Sequence, residues 1–201
     1  VRYPVLGNVT DTRPRRFIDA GKPVNFDYTF SKSLTGFYDD YPQTNYSIYF
    51  STPFSPEAEQ SLKDAFLPAL QGKTEYQKID LLLGFCQTAT GYKTDQDQFD
   101  REKPMFAEET LYYDFTDCED RSVLFSWLVR MFTGLKVVGL DYPGHIATAV
   151  AFTENVKGDA VTWKGKRFVI CDPTYIGALP GQCMPGFRDA QPEIIEINKT
   201  R

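Results

Sequence analysis

Three side chains with the chemistry of an acyl-transfer site occur along the chain in the order cysteine, histidine and aspartate. Cys118 lies in the polar segment 116–121, His145 is the only histidine, and Asp172 follows the mostly apolar run 167–171. A thiolate attacks carbonyl carbons, an imidazole exchanges the proton, and a carboxylate holds the imidazole in its reactive tautomer. Residues of these types, if brought together, would form and resolve a thioester.

Each of these residues also has an ordinary structural explanation. A lone histidine such as His145 is often a satisfied structural residue, and an aspartate before proline, as at Asp172, is common in turns. A cysteine is often a small buried hydrophobe. This last explanation fits Cys86, on the apolar face of a predicted helix, better than Cys118, whose neighbours are polar or charged. The order and context of the three residues, taken together, favour the chemical interpretation.

A helix predicted to begin at Cys118 would position the thiol. Thr116 or Asp117 is suited to the N-cap, apolar residues then repeat at helical spacing, and Gly134 ends the pattern. Backbone N–H groups and the helix dipole at such a start favour the thiolate form of a cysteine. The sequence therefore predicts a reactive thiol.

Strands are predicted to position the histidine and the aspartate. His145 follows a Tyr-Pro-Gly turn and begins an apolar strand, and Asp172 closes a hairpin that turns at Lys164-Gly165. The predicted strands lie at residues 135–140, 145–152, 161–163 and 167–171. A helix followed by antiparallel strands is an α+β pattern.

The chain is expected to fold as a catalytic domain with an aromatic-rich lead-in. Residues 1–54 are interpreted as an N-terminal extension that packs on the core, because its many aromatic side chains need a surface to cover. Strands are predicted within it at 26–30 and 45–50. Residues 55–201 are interpreted as the catalytic domain.

Two helices are predicted before the one that bears Cys118. Ser55 is suited to be the N-cap of the first, which should run to about residue 70. Thr74 and Gln77 form a capping-box pattern at the start of the second. The following residues, 91–117, are polar and aromatic and are expected to be mostly loop.

Three segments carry a resemblance to a known family. They are residues 117–122 (DCEDRS), 142–145 (YPGH) and 171–175 (CDPTY). In this order they resemble the transglutaminase-like superfamily of papain-type folds, and within it the bacterial transglutaminase-like cysteine peptidases, whose nucleophile motif often reads Asp-Cys-Glu-Asp. The resemblance covers about residues 75–178, and Thr116 stands where many relatives have glycine.

The resemblance implies a papain- or transglutaminase-like core, in which the helix that bears the nucleophile packs on an antiparallel β-sheet. It implies that Cys118 is the nucleophile, His145 the general base and Asp172 the residue that orients the histidine. The backbone N–H of Cys118 would form part of an oxyanion hole, with Tyr92 or Gln87 as the second donor. Tyr92 matches the family's upstream aromatic residue, although packing alone would explain it equally well, and Gln87 is analogous to the papain-type glutamine.

The resemblance further implies a cysteine hydrolase, either a peptidase or an amidase, that needs no cofactor. The expected partner is a peptide or protein substrate, with a cell-wall peptide among the candidates. Two alternatives stay open: a transglutaminase that passes the acyl group to an amine, and a protein- or glycan-binding module that keeps the fold without activity. The chain starts at Val1, so we interpret it as a mature or excised region and expect a secreted, periplasmic or cell-envelope location.

Composition limits the remaining function classes. A net charge of −5 over 201 residues offers no basic face of the kind that nucleic-acid binding favours. The apolar content of 42% and charged content of 24% are those of a globular chain, and no apolar run approaches the roughly 20 residues that cross a membrane. We therefore expect no nucleic-acid partner and no membrane-spanning segment.

No metal site is expected among the acidic residues. Those at 95, 97 and 100, like Asp39 and Asp40, match no EF-hand loop and are interpreted as solvated surface. Glu119 and Asp120 are interpreted as structural, since acids in a first helical turn complement the dipole. Arg121 is likewise interpreted as structural, with a nearby carboxylate as its expected partner.

The remaining cysteines leave two further alternatives. A zinc site made from Cys171, Cys183 and His145 would match no common ligand spacing. Cys171 and Cys183 could also pair as a disulfide, although nothing in the sequence requires it.

Overall fold

A long β-hairpin leads the part of the chain that the computed structural model describes, residues 9–197. Strand β1, Thr10–Asp19, pairs antiparallel with strand β2, Lys22–Ser31. The two turn residues between them, Ala20 and Gly21, both have positive φ, at 48° and 76°. This backbone matches the right-handed twist of the strands and keeps the hairpin tight.

Two short helices follow the hairpin: α1, Lys32–Asp39, and α2, Tyr46–Ser51. The strand predicted at 26–30 is confirmed within β2, whereas the strand predicted at 45–50 is wrong. The side chain of Asn45 accepts a hydrogen bond from the backbone amide two residues further on, at 2.9 Å. That cap starts a helical turn, and it outweighs the preference of the following aromatic residues for a strand.

Two longer helices confirm their predicted caps. Helix α3 spans Pro56–Leu70 and begins with a hydrogen bond to the side chain of Ser55. Helix α4 spans Glu75–Thr88, and Thr74 and Gln77 make both reciprocal bonds of a capping box. These helices form one side of the main hydrophobic core.

The segment expected to be mostly loop, 91–117, contains four short elements. They are strand β3, Gly91–Tyr92; helix α5, Asp95–Phe99; helix α6, Ala107–Thr110; and strand β4, Phe115–Thr116. Strands β3 and β4 pair in parallel, with Tyr92 opposite Thr116. Elements of two to five residues have no periodicity to detect, which explains why the sequence did not predict them.

The helix that begins at Cys118 and a five-stranded antiparallel sheet complete the fold. The elements are helix α7, Cys118–Thr133, and strands β5, Lys136–Tyr142; β6, His145–Ala151; β7, Ala160–Trp163; β8, Lys166–Cys171; and β9, Glu193–Ile195. Their order in the sheet is β7-β8-β6-β5-β9. The predicted helix and the four predicted strands are confirmed, as is the α+β class, with 38% helix and 27% strand among residues 9–197.

Helix α7 packs on the central strand of this sheet. Its residues Leu124 and Leu128 are buried in the same core cluster as Ile146 and Val150 of β6. The hydroxyl of Ser122 also donates to the carbonyl of Ile146 at 2.9 Å. The start of α7 and the start of β6 are thereby held side by side.

The N-terminal hairpin contributes to this core instead of lying outside it. Phe17 of β1 is 1% exposed, and its ring stacks on Phe66 of α3 with centroids 4.4 Å apart. Phe85 of α4 lies against both rings.

Within residues 9–197, no helix has the length and apolarity that crossing a bilayer requires.

Candidate active site

Cys118 is the first residue of α7, and its sulfur lies against the start of β6. The Sγ atom accepts a hydrogen bond from the backbone amide of Ile146 at 3.5 Å. The thiol donates to Oε2 of Glu119 at 3.1 Å. The neighbour of Ile146 along the strand is His145, so the structure brings the nucleophile helix to the predicted base.

His145 is held by Asp172. The Nε2 atom of the ring lies 2.8 Å from Oδ2 of Asp172, and the two residues are 7% and 2% exposed. The other oxygen, Oδ1, accepts from the backbone amides of Thr174 and Tyr175 at 2.9 and 3.2 Å. Asp172 follows directly on β8, which lies beside β6, so neighbouring strands present both side chains.

The hydrogen bonds of the Cys118 thiol reach the residue next to His145 but not the imidazole. In the described part of the chain, the Cys118 thiol makes its hydrogen bonds with Glu119 and Ile146, and none with the ring of His145. Because Asp172 occupies Nε2, Nδ1 is the ring nitrogen left to exchange a proton with the thiol.

The environment of Cys118 does not favour the thiolate. Burial raises the pKa of this thiol, the Glu119 carboxylate raises it further, and the Ile146 amide lowers it only in part. The prediction that the helix start would favour the thiolate is therefore wrong for this arrangement. Burial and the neighbouring Glu119 and Asp117 carboxylates are the influences that oppose the thiolate here.

Three carboxylates converge beside Cys118. Ligand oxygens of Asp95, Asp117 and Glu119 all lie within 4.8 Å of one another. The interpretation of Asp95 as solvated surface is wrong, since it is 3% exposed. Burial, together with the other acids, raises the pKa of Asp95 to about 6 and that of Asp117 well above its usual range. Oxygen donors in this arrangement have the chemistry to hold a hard divalent cation, which the sequence did not suggest.

Asp120 and Arg121 are structural, although Arg121 has partners that differ from the one expected. Asp120 accepts from the backbone amides of Met105 and Asp117 at 2.7 and 3.2 Å. The guanidinium of Arg121, which was expected to pair with a carboxylate, donates instead to the carbonyl of Thr90 at 3.1 Å. It is 1% exposed, and its carbonyl acceptors lie at the C-terminal end of α4, where a cation is favourable.

Of the two candidate oxyanion donors, Tyr92 lies at the site. Its pairing with Thr116 places it beside the turn that leads into Cys118. Burial raises the pKa of the Tyr92 phenol, and the nearby Cys118 sulfur raises it further. Tyr92 is 53% exposed, and its ring lies 5.5 Å from the Arg121 guanidinium. About half of its surface is therefore open to solvent near Cys118.

Gln87 is close to the site, but its side chain points elsewhere. Its amide nitrogen donates to the carbonyls of Tyr175 and Ala178 at 2.9 and 3.0 Å. Its oxygen accepts from the backbone amide of Gly177 at 3.1 Å. Because these bonds occupy the carboxamide, the structure does not support the oxyanion role expected for Gln87 by analogy.

Two aromatic rings lie against the histidine: Phe187, which the sequence did not suggest, and Tyr142, which belongs to the 142–145 motif. The ring of Phe187 stacks on His145 with centroids 4.7 Å apart and an interplanar angle of 19°. The ring of Tyr142 lies 6.4 Å from that of His145 and 5.2 Å from that of Phe187. Burial raises the pKa of the Tyr46 phenol of α2, and the nearby Glu119 and Cys118 raise it further. The sequence around Tyr46 favours a strand and not the helix that is observed. Phe187 lies in a turn too short to show any periodicity.

The cysteine alternatives are not seen in the structure. All four cysteines are free thiols, so Cys171 and Cys183 form no disulfide. The group of possible metal ligands found within the described residues consists of carboxylates and does not include Cys171, Cys183 or His145.

Comparison with known proteins gives no independent assignment. No protein-family model matches the chain, and no curated protein matches it. The functional interpretation therefore depends on the site itself.

Proposed function

We propose that this chain is a cysteine-dependent acyl-transfer enzyme of the transglutaminase-like type, which hydrolyses amide bonds in peptides or proteins. The observation that carries the proposal is the buried pair of His145 and Asp172, 2.8 Å apart, beside a thiol at a helix start. A papain-like core is part of the proposal. It is supported by the packing of α7, with Cys118 at its first turn, on an antiparallel sheet that supplies the other two residues.

The first half of the reaction forms a thioester. The thiol exchanges its Glu119 partner for Nδ1 of His145, and its proton passes to that nitrogen as the sulfur attacks the carbonyl carbon. Because burial and Glu119 raise the pKa of the Cys118 thiol, proton transfer accompanies the attack and does not precede it. The oxyanion accepts hydrogen bonds from the Cys118 backbone N–H, which a first-turn position leaves without an intrahelical partner, and from the Tyr92 hydroxyl.

The second half of the reaction releases the acyl group. Collapse of the tetrahedral intermediate breaks the C–N bond, and His145 gives its proton to the leaving amine. Water then enters, loses a proton to Nδ1 and attacks the thioester carbonyl. The C–S bond breaks, the thiolate takes the proton back from His145, and a carboxylic acid leaves. Throughout, Asp172 holds the ring through Nε2 and stabilises its cationic form.

One observation favours a different function, a binding module without activity. The thiol is bonded to Glu119 and not to His145, and its pKa is raised. In a module that had lost catalysis, the thiol would stay bonded to Glu119. In an enzyme, the thiol must be able to break this hydrogen bond and turn towards His145.

The proposal is tested by incubating the chain with a peptide library and a fluorescent primary amine, with products identified by mass spectrometry. Hydrolysis that is lost in Cys118→Ala and in His145→Ala, and retained in Cys86→Ala, is the expected result. Cys86 is the matched control because it is a buried thiol that lies outside the site. Amine incorporation with the same dependence would assign the transglutaminase alternative. Absence of any Cys118-dependent product would favour the binding module and contradict the proposal.

A further inference from the structure

Gln87 stands between the two halves of the candidate site. It is 4% exposed and lies near the C-terminal end of α4. Its side chain faces the loop that carries Asp172, and its backbone faces the helix that carries Cys118. We infer that Gln87 is a positioning residue, whose carboxamide fixes the loop that holds Asp172 against His145. The inference rests on the proposed function for its catalytic consequence.

The carboxamide of Gln87 binds four backbone groups of a single loop. Its nitrogen donates to the carbonyls of Asp172, Tyr175 and Ala178 at 3.3, 2.9 and 3.0 Å. Its oxygen accepts from the amide of Gly177 at 3.1 Å. A primary amide has two N–H groups, so the three carbonyls share them, and residues 172–178 take up both donors and one lone pair of the oxygen. Removing a buried group whose hydrogen bonds are made leaves its partners unsatisfied and destabilises the fold, and its bonds hold the loop in one conformation.

The loop conformation in turn determines which oxygen of Asp172 faces the histidine. Oδ1 accepts from the amides of Thr174 and Tyr175, and Oδ2 is left for Nε2 of His145. Gln87 holds the carbonyl of Tyr175, whose amide is one of those two donors. If the loop shifts, Oδ1 loses its donors, the carboxylate is free to rotate, and His145 loses its fixed partner.

The backbone of Gln87 is tied to the nucleophile helix. Its carbonyl accepts from Nη1 of Arg121 at 3.4 Å, and Arg121 lies about one helical turn after Cys118. The Arg121 guanidinium also donates to the hydroxyl of Thr116 at 3.2 Å, just before the nucleophile. The same residue therefore joins the element that carries the thiol to the loop that carries the acid.

The first test uses the single histidine of the chain. Nitrogen-15 NMR of the imidazole reports its tautomer, and a low-field proton signal reports a strong hydrogen bond from Nε2–H. We expect the wild-type chain to show the Nε2-protonated form with that low-field signal. Gln87→Met, which keeps the length of the side chain and removes its hydrogen bonds, should lose the signal. Asp172→Ala should lose it too, and Gln182→Ala, which removes a side-chain bond to the same loop region at Leu179, should keep it.

The second test is a double-mutant cycle on kcat/KM. Gln87→Met is expected to lower kcat/KM by roughly tenfold to a hundredfold, mostly in kcat, and no further in the Asp172→Ala background, because both changes remove one function. If Gln87→Met does not fold, Gln87→Asn keeps the polar group and shortens its reach by one methylene, and it should lose the signal in the same way.

Two results would overturn the inference. One is a folded Gln87 variant that keeps the low-field signal, and the other is a pair of losses in kcat/KM that add in the double variant. If no hydrolysis depends on Cys118, the proposed function fails, and the NMR result still decides whether Gln87 positions Asp172.

Discussion

The Nε2 atom of His145 lies 2.8 Å from Oδ2 of Asp172, and both side chains are almost fully buried. A buried carboxylate at this distance fixes the ring in one orientation and stabilises its charged form. It also leaves Nδ1 as the nitrogen that can exchange a proton with the nucleophile. In the proposed mechanism, each nitrogen of the only histidine in the chain therefore has its own role.

Asp172→Asn should reduce activity without removing the fold. The change keeps the volume of the side chain and its contacts with the amides of Thr174 and Tyr175, but removes the negative charge that stabilises the imidazolium. We expect kcat/KM to fall by roughly 10²- to 10⁴-fold, measured on the substrate found for the wild-type chain. Activity within a factor of two of wild type would show that His145 does not depend on this carboxylate.

Glu119→Gln should make Cys118 more reactive. After burial, Glu119 is the largest contribution that raises the pKa of Cys118, and it accepts a hydrogen bond from the thiol. Removing its charge lowers that pKa and increases the thiolate fraction near neutral pH. The measurement is the rate of iodoacetamide labelling at Cys118 between pH 6 and 9, followed by peptide mass spectrometry.

A matched control for this change is Glu57→Gln, because Glu57 also lies in the first turn of a helix but far along the chain from the thiol. It should leave the labelling rate unchanged. Slower labelling in Glu119→Gln than in wild type would contradict the electrostatic explanation of the raised thiol pKa.

Stability should fall as the pH rises through the range in which Asp95 titrates. Its pKa is raised from 3.8 to about 6, so the folded state holds this proton more tightly than the unfolded state does. The resulting stabilisation is complete below about pH 4 and is lost as the pH rises towards 6 and beyond. Asp95→Asn should make this slope shallower, leaving the contribution of the other buried acids such as Asp117, and should unfold at a higher urea concentration than wild type at pH 7.

The measurement is urea unfolding at intervals from pH 4 to pH 7, in the presence of EDTA so that no cation neutralises the carboxylates. Asp97→Asn is the control, since Asp97 lies in the same short helix. Parallel pH profiles for wild type and Asp95→Asn would contradict the assigned burial of Asp95.

Phe187→Ala should expose His145. The Phe187 ring covers the imidazole at 4.7 Å, and a methyl group in its place leaves that face open. Diethylpyrocarbonate modifies histidine, and with one histidine in the chain its absorbance change reports His145 alone. We expect modification to be several times faster than in wild type, while Phe37→Ala, at an exposed ring of α1, should not change the rate. An unchanged rate in Phe187→Ala would show that Phe187 does not control access to the histidine.

Local signals in the sequence were sufficient for the elements that carry the site. Helix α7 could be located from the polar residues before Cys118 and from Gly134, which adopts φ of 69° at its end. Strands β6 and β8 could be located from their apolar runs, which lie in the middle of a sheet. Caps and apolar runs depend only on residues that are close in the chain, so they can be recognised before the fold is known.

Features that depend on contacts between distant segments could not be predicted. Gln87 reaches a loop 85 to 91 residues away, and a helix pattern cannot show where a side-chain amide will point. Asp95 lies in a polar, acidic segment that is typical of a protein surface, yet the fold buries it beside Asp117 and Glu119. The raised pKa of Cys118 follows from burial and from the same convergence of acids, which is why the helix start alone gave the wrong direction.

The most direct test of the proposed nucleophile is to trap the acyl group on Cys118. The chain is mixed with p-nitrophenyl acetate, quenched in acid within seconds, digested and analysed by mass spectrometry. We predict one acetyl group on the peptide that contains Cys118, removable by hydroxylamine, and formed at least about tenfold more slowly in His145→Ala. Equal acetylation of Cys118 in wild type and His145→Ala, or acetylation spread over Cys86, Cys171 and Cys183, would contradict a nucleophile activated by the His145–Asp172 pair.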